Sequence, residues 1–256
     1  MKHVLVGDKR LEYVRLPSAH PREGAPAIVF LHEGLGSIAM WRDFPQKVAD
    51  ATGCEAIVYS RAGYGRSDPA ELPRTTRYMH DEGLTVLPAL LDALQLDRPI
   101  LLGHSDGASI ALICAGGTDV KLTGVIAMAP HVLVEDISVT SIAQAKIAWQ
   151  TTDLPARLGK YHHDVEAAFW GWNDIWLHPD FRAWNVEEYV PKIACPVLAI
   201  QGEDDEYGTM DQIDRVAALG RDVDLVKLAD CRHSPHKDQP EAVIEAVGEF
   251  VTRILD

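Results

Sequence analysis

The chain has 256 residues, 47% of them hydrophobic and 24% charged, with a formal net charge of −14 from 24 Lys and Arg against 38 Asp and Glu. This length suits one α/β domain with an insertion better than two independent domains, and the composition supports a full core rather than a disordered chain. The acidic balance argues against nucleic acid and against an anionic membrane as partners.

Residues 2–17 alternate weakly and predict an opening hairpin. The first eight residues, Met1 to Asp8, carry no long apolar core, so no signal peptide is expected there, and no apolar run is long enough to span a bilayer. Ala27 to Leu31 predicts a buried strand, followed by the glycine-bearing loop His32-Glu33-Gly34-Leu35-Gly36-Ser37. Residues 40–51 predict an amphipathic helix ending near Gly53, and residues 55–60 a second buried strand. The loop Arg61 to Pro69 is rich in turn signals. A long helix is expected over about residues 75–95, kinked at Pro88. The strand–helix alternation continues through a strand at Leu122 to Met128, a strand at Pro196 to Gln201, a helix at 209–219, a strand at Val223 to Leu228 and a closing helix at 240–255. Such alternation implies a mostly parallel, doubly wound sheet covered on both faces. Residues 131–190 break it. They read as helical and hold five of the six tryptophans, which predicts a helical cap inserted into a core of residues 1–130 and 191–256. The four cysteines (Cys54, Cys114, Cys195, Cys231) form no C-x-x-C pair and read as thiols, three of them in or beside apolar runs. A cytoplasmic protein is the corresponding expectation.

The chemistry concentrates at Pro99 to Ala108. The apolar run Ile100-Leu101-Leu102 enters Gly103-His104-Ser105-Asp106-Gly107, and a helical run follows. Strand, tight turn with a central serine, then helix is the context of a nucleophile elbow. The turn strains the serine backbone, and a side chain at either flanking glycine would strike the neighbouring strand or helix. Serine is a weak nucleophile and needs a base within hydrogen-bond reach, itself held by a carboxylate. Both follow in the order serine, acid, histidine. The turn Gly202-Glu203-Asp204-Asp205 after a strand offers Asp205 as the acid, with Asp204 and Glu203 as rivals. After the last strand, Arg232-His233-Ser234-Pro235-His236 offers His233 as the base, with His236 as an alternative base or a pocket wall. His104 reads as a packing residue and His162-His163 as a solvated turn. The spacing of His233 and His236 occurs in metal sites, but no further ligand cluster accompanies it, so no metal is expected.

The elbow, the Gly202/Asp205 turn, His233 and the loop after Leu31 together resemble the α/β-hydrolase superfamily, and so does the loop Arg61-Ala62-Gly63-Tyr64-Gly65-Arg66-Ser67. The resemblance covers almost the whole chain outside the cap. It implies an oxyanion hole made of two backbone amides, one on Asp106 and one in the His32-Glu33-Gly34 loop. Glu33 stands where the family usually has glycine, so Gly34 is the expected donor there, with the Glu33 amide as the alternative. Arg232 similarly replaces a usual glycine before the base. The implied reaction is hydrolysis of an ester or lactone through an acyl-enzyme, with no cofactor, a small-molecule substrate and no nucleic-acid or membrane partner; a homodimer is compatible with it. Carbon–carbon bond hydrolysis of ring-cleavage products is the nearest rival, and a non-catalytic ligand receptor on the same fold is the rival of another class. Glu33, His131, Trp170, Trp172 and His236 are the candidate substrate-binding residues. Glu33, Asp106, Glu135 and Asp136 are expected near the pocket mouth, where they would disfavour anionic substrates and admit neutral or cationic ones. The cap tryptophans suggest a broad apolar pocket and a fairly bulky substrate.

Overall fold

The computed structural model of the chain describes residues 1–256. β1 (Lys2–Val6) and β2 (Lys9–Leu16) form the opening hairpin, with Val6 opposite Lys9 across the turn Gly7-Asp8. Gly7 sits at φ +60, where a side chain would be strained. β3 (Ile28–Leu31), β4 (Ala56–Tyr59), β5 (Ile100–His104), β6 (Gly124–Met128), β7 (Val197–Gly202) and β8 (Val223–Leu228) complete an eight-stranded sheet in the order β1-β2-β4-β3-β5-β6-β7-β8. β1–β2 and β2–β4 pair antiparallel, and every later pair is parallel.

Because the parallel strands are covered on both faces, they read as unbroken apolar runs, and their alternate residues feed two cores. Ile28 and Phe30 point to one face, where they meet Phe44, Val48 and Ala49 of α1 (Phe44–Thr52) and Val243, Val247 and Phe250 of α10 (Pro240–Leu255). Val29 and Leu31 point to the other, which gathers α4 (Asp106–Gly117), α8 (Asp211–Leu219) and the helical stretch before β5. No helix is long and apolar enough to cross a membrane.

The helix expected over residues 75–95 is divided. α2 (Tyr78–Asp81) passes into a π-helical turn at Glu82–Val86 and then into α3 (Leu87–Ala93). The irregularity therefore lies upstream of Pro88 rather than at it. Pro88 has no N–H to return to the preceding turn, and the ladder widens to absorb the loss. The wide turn brings Gly83 against α4, where a Cβ would stand 2.8 Å from Ile113 Cγ2.

Between β6 and β7 the chain forms α5 (Asp136–Thr151), α6 (Leu154–Leu158), α7 (Val165–Trp176) and two 3-10 turns, Pro179–Ala183 and Val190–Lys192. Its tryptophans mostly pack among themselves. Trp149 stacks on Phe169 at 4.1 Å, and Trp184 stacks on Phe181 at 5.5 Å. His162, expected to be solvated, is buried instead. Its Nδ1 accepts the Gly65 amide at 3.1 Å and its Nε2 donates to the Leu35 carbonyl at 2.9 Å. One ring thus ties this segment to the loops after β3 and β4; only His163 of the pair is exposed.

Candidate active site

The elbow forms because its glycines permit it. A Cβ on Gly107 would overlap the Leu31 carbonyl, and one on Gly103 would overlap the Gly107 carbonyl. Ser105 is held at φ 53, ψ −121 between β5 and α4, an uncommon conformation for a residue with a side chain. Its Oγ lies 2.9 Å from His233 Nε2, on the loop between β8 and α9 (Pro235–Asp238). The other ring nitrogen, Nδ1, donates to Asp205 Oδ1 at 2.8 Å and Oδ2 at 2.9 Å. Of the four acidic residues that follow β7, Glu203 to Glu206, only Asp205 is buried; Glu203, Asp204 and Glu206 are exposed.

Four donors surround the Asp205 carboxylate: His233 Nδ1, the Tyr207 amide at 2.8 Å, the Gly208 amide at 3.2 Å and Gln201 Nε2 at 3.2 Å. Burial by itself would raise the pKa of Asp205, but the hydrogen bond from His233, its charge and the Tyr207 amide hold it below the ordinary carboxylate value. The imidazole is thereby fixed with its proton on Nδ1 and its lone pair toward the serine.

The amides of Glu33 and Gly107, and likewise those of Gly34 and Asp106, have no acceptor in the protein. Gly34 and Asp106 line the same cavity as the serine. The loop of Gly34 is held by the first residue of the turn-rich Arg61–Pro69 loop, to which the motif alone assigns no role. Arg61, fully buried, donates to the carbonyls of His32 and Glu33. His32 Nε2 in turn accepts the Arg61 amide at 3.0 Å. A charged residue directly after a buried strand was the available signal. Asp106 is anchored from the other side: Tyr78 donates its hydroxyl to Asp106 Oδ2 at 2.6 Å and accepts Trp176 Nε1–H at 3.0 Å. Replacing Tyr78 with Phe would leave the carboxylate and the indole unpartnered. Tyr78→Phe is expected to destabilise the protein by about 1–3 kcal/mol in urea unfolding. An unchanged urea midpoint would show that the two groups find other partners.

The cavity encloses about 180 Å³ and is lined chiefly by Glu33, Leu35, His131, Ile142, Trp172, Trp176 and Tyr207 around the serine and the imidazole. That volume is below the usual range for a ligand pocket and smaller than the broad pocket expected from the sequence. Of the candidate binding residues, Glu33, His131 and Trp172 line it. Trp170 and His236 do not. Trp170 faces outward, donating to Glu166 at 2.8 Å, and His236 is buried below the site against Trp41 and His104, each at 4.8 Å. A larger cavity of about 430 Å³, between the β1–β2 hairpin and the helical stretch 78–89, contains none of these groups.

The acidic mouth expected from the sequence does not assemble. The Asp106 carboxylate points inward to Tyr78, Glu135 accepts from Thr209 and Gln212, and Asp136 pairs with Arg182. Glu33 and Asp106 are the acidic residues that line the cavity, and Lys237 stands 3.5 Å from the Glu33 carboxylate. No Arg or Lys lines the cavity either. No group of three or more His, Cys, Asp or Glu is arranged to share a metal ion.

Burial depresses the histidines around the site. His131 falls from the ordinary 6.5 to about 3, through burial first and the neighbouring His233 second. His32, His104, His162 and His236 are lowered as well, burial again leading in each. All five are therefore neutral in the folded chain near neutral pH, whereas in the unfolded chain each protonates below about pH 6.5. Their contribution to stability is complete above pH 6.5 and is lost as the pH falls, since the unfolded state then binds more protons. Each can contribute up to about 1.4 kcal/mol per pH unit. The urea midpoint is expected to drop steeply from pH 7 to pH 5; a flat profile would mean that these rings are solvated.

A family model described as "Alpha/beta hydrolase family" matches residues 28–246. The chain is similar to the 2-hydroxy-6-oxononadienedioate/2-hydroxy-6-oxononatrienedioate hydrolase 2 of Pseudomonas putida, at 34% identity over 95 residues, or 36% of this chain and only 32% of the relative's length. It is also similar to a monoglyceride lipase homolog of Monkeypox virus, at 22% identity over 94% of this chain and 92% of that one. Among solved structures, the enol-lactonase of Burkholderia xenovorans LB400 superposes with a TM-score of 0.77 at 19% identity, covering 98% of this chain and 100% of the other.

Proposed function

The chain belongs to the alpha/beta hydrolase family, and from that premise we propose that it hydrolyses a small, neutral carboxylic ester or lactone through an acyl-enzyme on Ser105. The observation that carries this reading is the unbroken relay from Ser105 Oγ through the His233 ring to the Asp205 carboxylate, at 2.9 and 2.8 Å. Ser105 Oγ adds to the substrate carbonyl carbon while His233 Nε2 takes its proton. The imidazolium so formed is stabilised by the ionised Asp205. Negative charge then appears on the former carbonyl oxygen, where the Gly34 and Asp106 amides have no competing acceptor. Such donors act mainly on the transition state, and losing one raises the barrier by about 3–4 kcal/mol. The intermediate collapses, the C–O bond breaks, and His233 returns the proton to the leaving alkoxide. Water, deprotonated by the same nitrogen, attacks the acyl carbon and frees Ser105. With a lactone the alkoxide stays tethered, and the product is a hydroxy acid.

The cavity volume favours a small acyl group, and its apolar walls favour a neutral one. A cationic substrate gains little from Glu33, which is already paired with Lys237. Hydrolysis of a carbon–carbon bond is the second reading, supported by the likeness to the Pseudomonas putida relative named for dienedioates. A dicarboxylate would want a cation to hold its second carboxylate, and none lines the cavity. The test is kcat/KM over a panel of acetyl and butyryl aryl esters, small lactones, anionic esters and a dienone dicarboxylate. Preference for the neutral esters or lactones is expected. Preference for the dienone, or for anionic esters, would overturn the reading.

A further inference from the structure

The oxyanion loop carries a charged group that the reaction above does not use. The Glu33 side chain is only 16% exposed, yet it sits among groups from three separate segments. Its Oε1 is 3.5 Å from Lys237 Nζ on α9, and its Oε2 is 3.6 Å from His104 Nδ1 at the end of β5. The space it occupies is kept open by Gly36, where a Cβ would overlap Glu33 Oε2. Burial alone would raise the pKa of Glu33, but the nearby Lys237 ammonium foremost holds the carboxylate well below the ordinary range. Beyond His104 the connection continues. His104 is 1% exposed, and its Nε2–H donates to the backbone carbonyl of His233 at 2.7 Å. The His104 ring also lies 5.2 Å from the His233 ring and 4.8 Å from that of His236.

We propose that Glu33 and His104 are positioning residues for His233, with Lys237 bracing Glu33, so that one cluster locks the oxyanion loop, the elbow strand and the base loop together. The inference rests on His233 acting as the base. His233 lies on the loop after β8, where its N–H donates to Glu206 Oε2 at 3.1 Å and its carbonyl accepts from His104, and small displacements of a base have large effects on rate, on the order of a hundredfold per ångström. At 3.6 Å the contact is too long for a hydrogen bond, and the neutral His104 ring, with its proton on Nε2, meets Glu33 through packing; the charge of Glu33 acts through Lys237, which ties the oxyanion loop to α9 just beyond the base loop. The direct hydrogen bond is the one from His104 to the His233 peptide. Glu33 is thus the outer support and His104 the inner one.

Glu33→Gln keeps the shape and removes the charge. It is expected to lower kcat about tenfold on a small aryl ester while KM stays within about twofold, and to slow fluorophosphonate labelling of Ser105 by the same factor. In a His104→Ala background the same change should have much less further effect, because both supports hold the same base loop. Lys237→Met should reproduce part of the loss. Proton NMR gives a readout that needs no turnover: the His233 Nδ1–H against Asp205 should exchange with water about tenfold faster in Glu33→Gln, an estimate carried over from the expected rate loss. Unchanged kcat and unchanged exchange, or effects of Glu33 and His104 that simply add, would overturn the inference. A wild-type chain that hydrolyses none of the panel would instead sink the proposed function, and the exchange measurement would still decide whether the cluster holds the ring.

Discussion

Ser105→Ala is expected to lower kcat on small aryl esters by on the order of a millionfold while leaving the fold intact. Alanine offers no atom to form the acyl-enzyme, so any remaining turnover must come from direct attack by water in the oxyanion hole. Nothing structural should suffer. Ser105 Oγ makes its hydrogen bond to His233, and that ring remains held by Asp205. The strained backbone at φ 53 is kept by the packing of Gly103 and Gly107, not by the hydroxyl. The melting temperature should stay level or rise, as it tends to when a strained catalytic group is removed. The variant should also resist a fluorophosphonate that labels the wild type. Retention of more than a few per cent of kcat, on the scale of the losses seen when a nucleophile is removed, would mean that another residue attacks the substrate.

The candidate site was legible because its members sit where punctuation is strongest. Ser105, Asp205 and His233 each follow the end of a strand, and glycines mark the first two turns. In an open parallel sheet those ends lie along one edge, so the topology brings distant residues together. The strands themselves were legible for the same reason that they pack: buried on both faces, they read as continuous apolar runs. Side-chain direction was not legible. Asp106 and Glu33 both lie beside the oxyanion donors, yet one carboxylate turns inward to Tyr78 and the other is held by Lys237. His162 reads as a polar turn but fills a buried position between two loops. Trp170 and Trp172 are two residues apart on α7, so helical geometry turns them to different sides, and only Trp172 reaches the cavity. Arg61 and Tyr78 act through contacts that are distant in sequence, to which local pattern is blind.

Asp205→Asn tests the acid member, and its expected effect is the second largest: kcat lower by on the order of ten-thousandfold with KM little changed. The carboxylate accepts from His233 Nδ1, two backbone amides and Gln201 Nε2. An asparagine has one acceptor oxygen and one donor nitrogen for these four donors. With the oxygen toward the Tyr207 and Gly208 amides, its NH₂ meets Gln201 Nε2, which is already committed to the Gly208 carbonyl at 2.8 Å. With the orientation reversed, the NH₂ meets the two amides. Either arrangement leaves donor facing donor in a buried site, which should reduce stability by about 1–3 kcal/mol. The imidazole can relieve the conflict by accepting the asparagine N–H at Nδ1. Its own proton then moves to Nε2 and points at Ser105, and the base is disabled. Lowering the pH to 5 should not reproduce this defect, since Asp205 is held below the ordinary carboxylate value and stays ionised there. Asp204→Asn and Glu203→Gln are the internal controls. Both side chains are exposed, so each should leave kcat and the urea midpoint unchanged. A severe loss in Asp204→Asn with a mild one in Asp205→Asn would move the acid to the neighbouring position and require the turn after β7 to rearrange in solution.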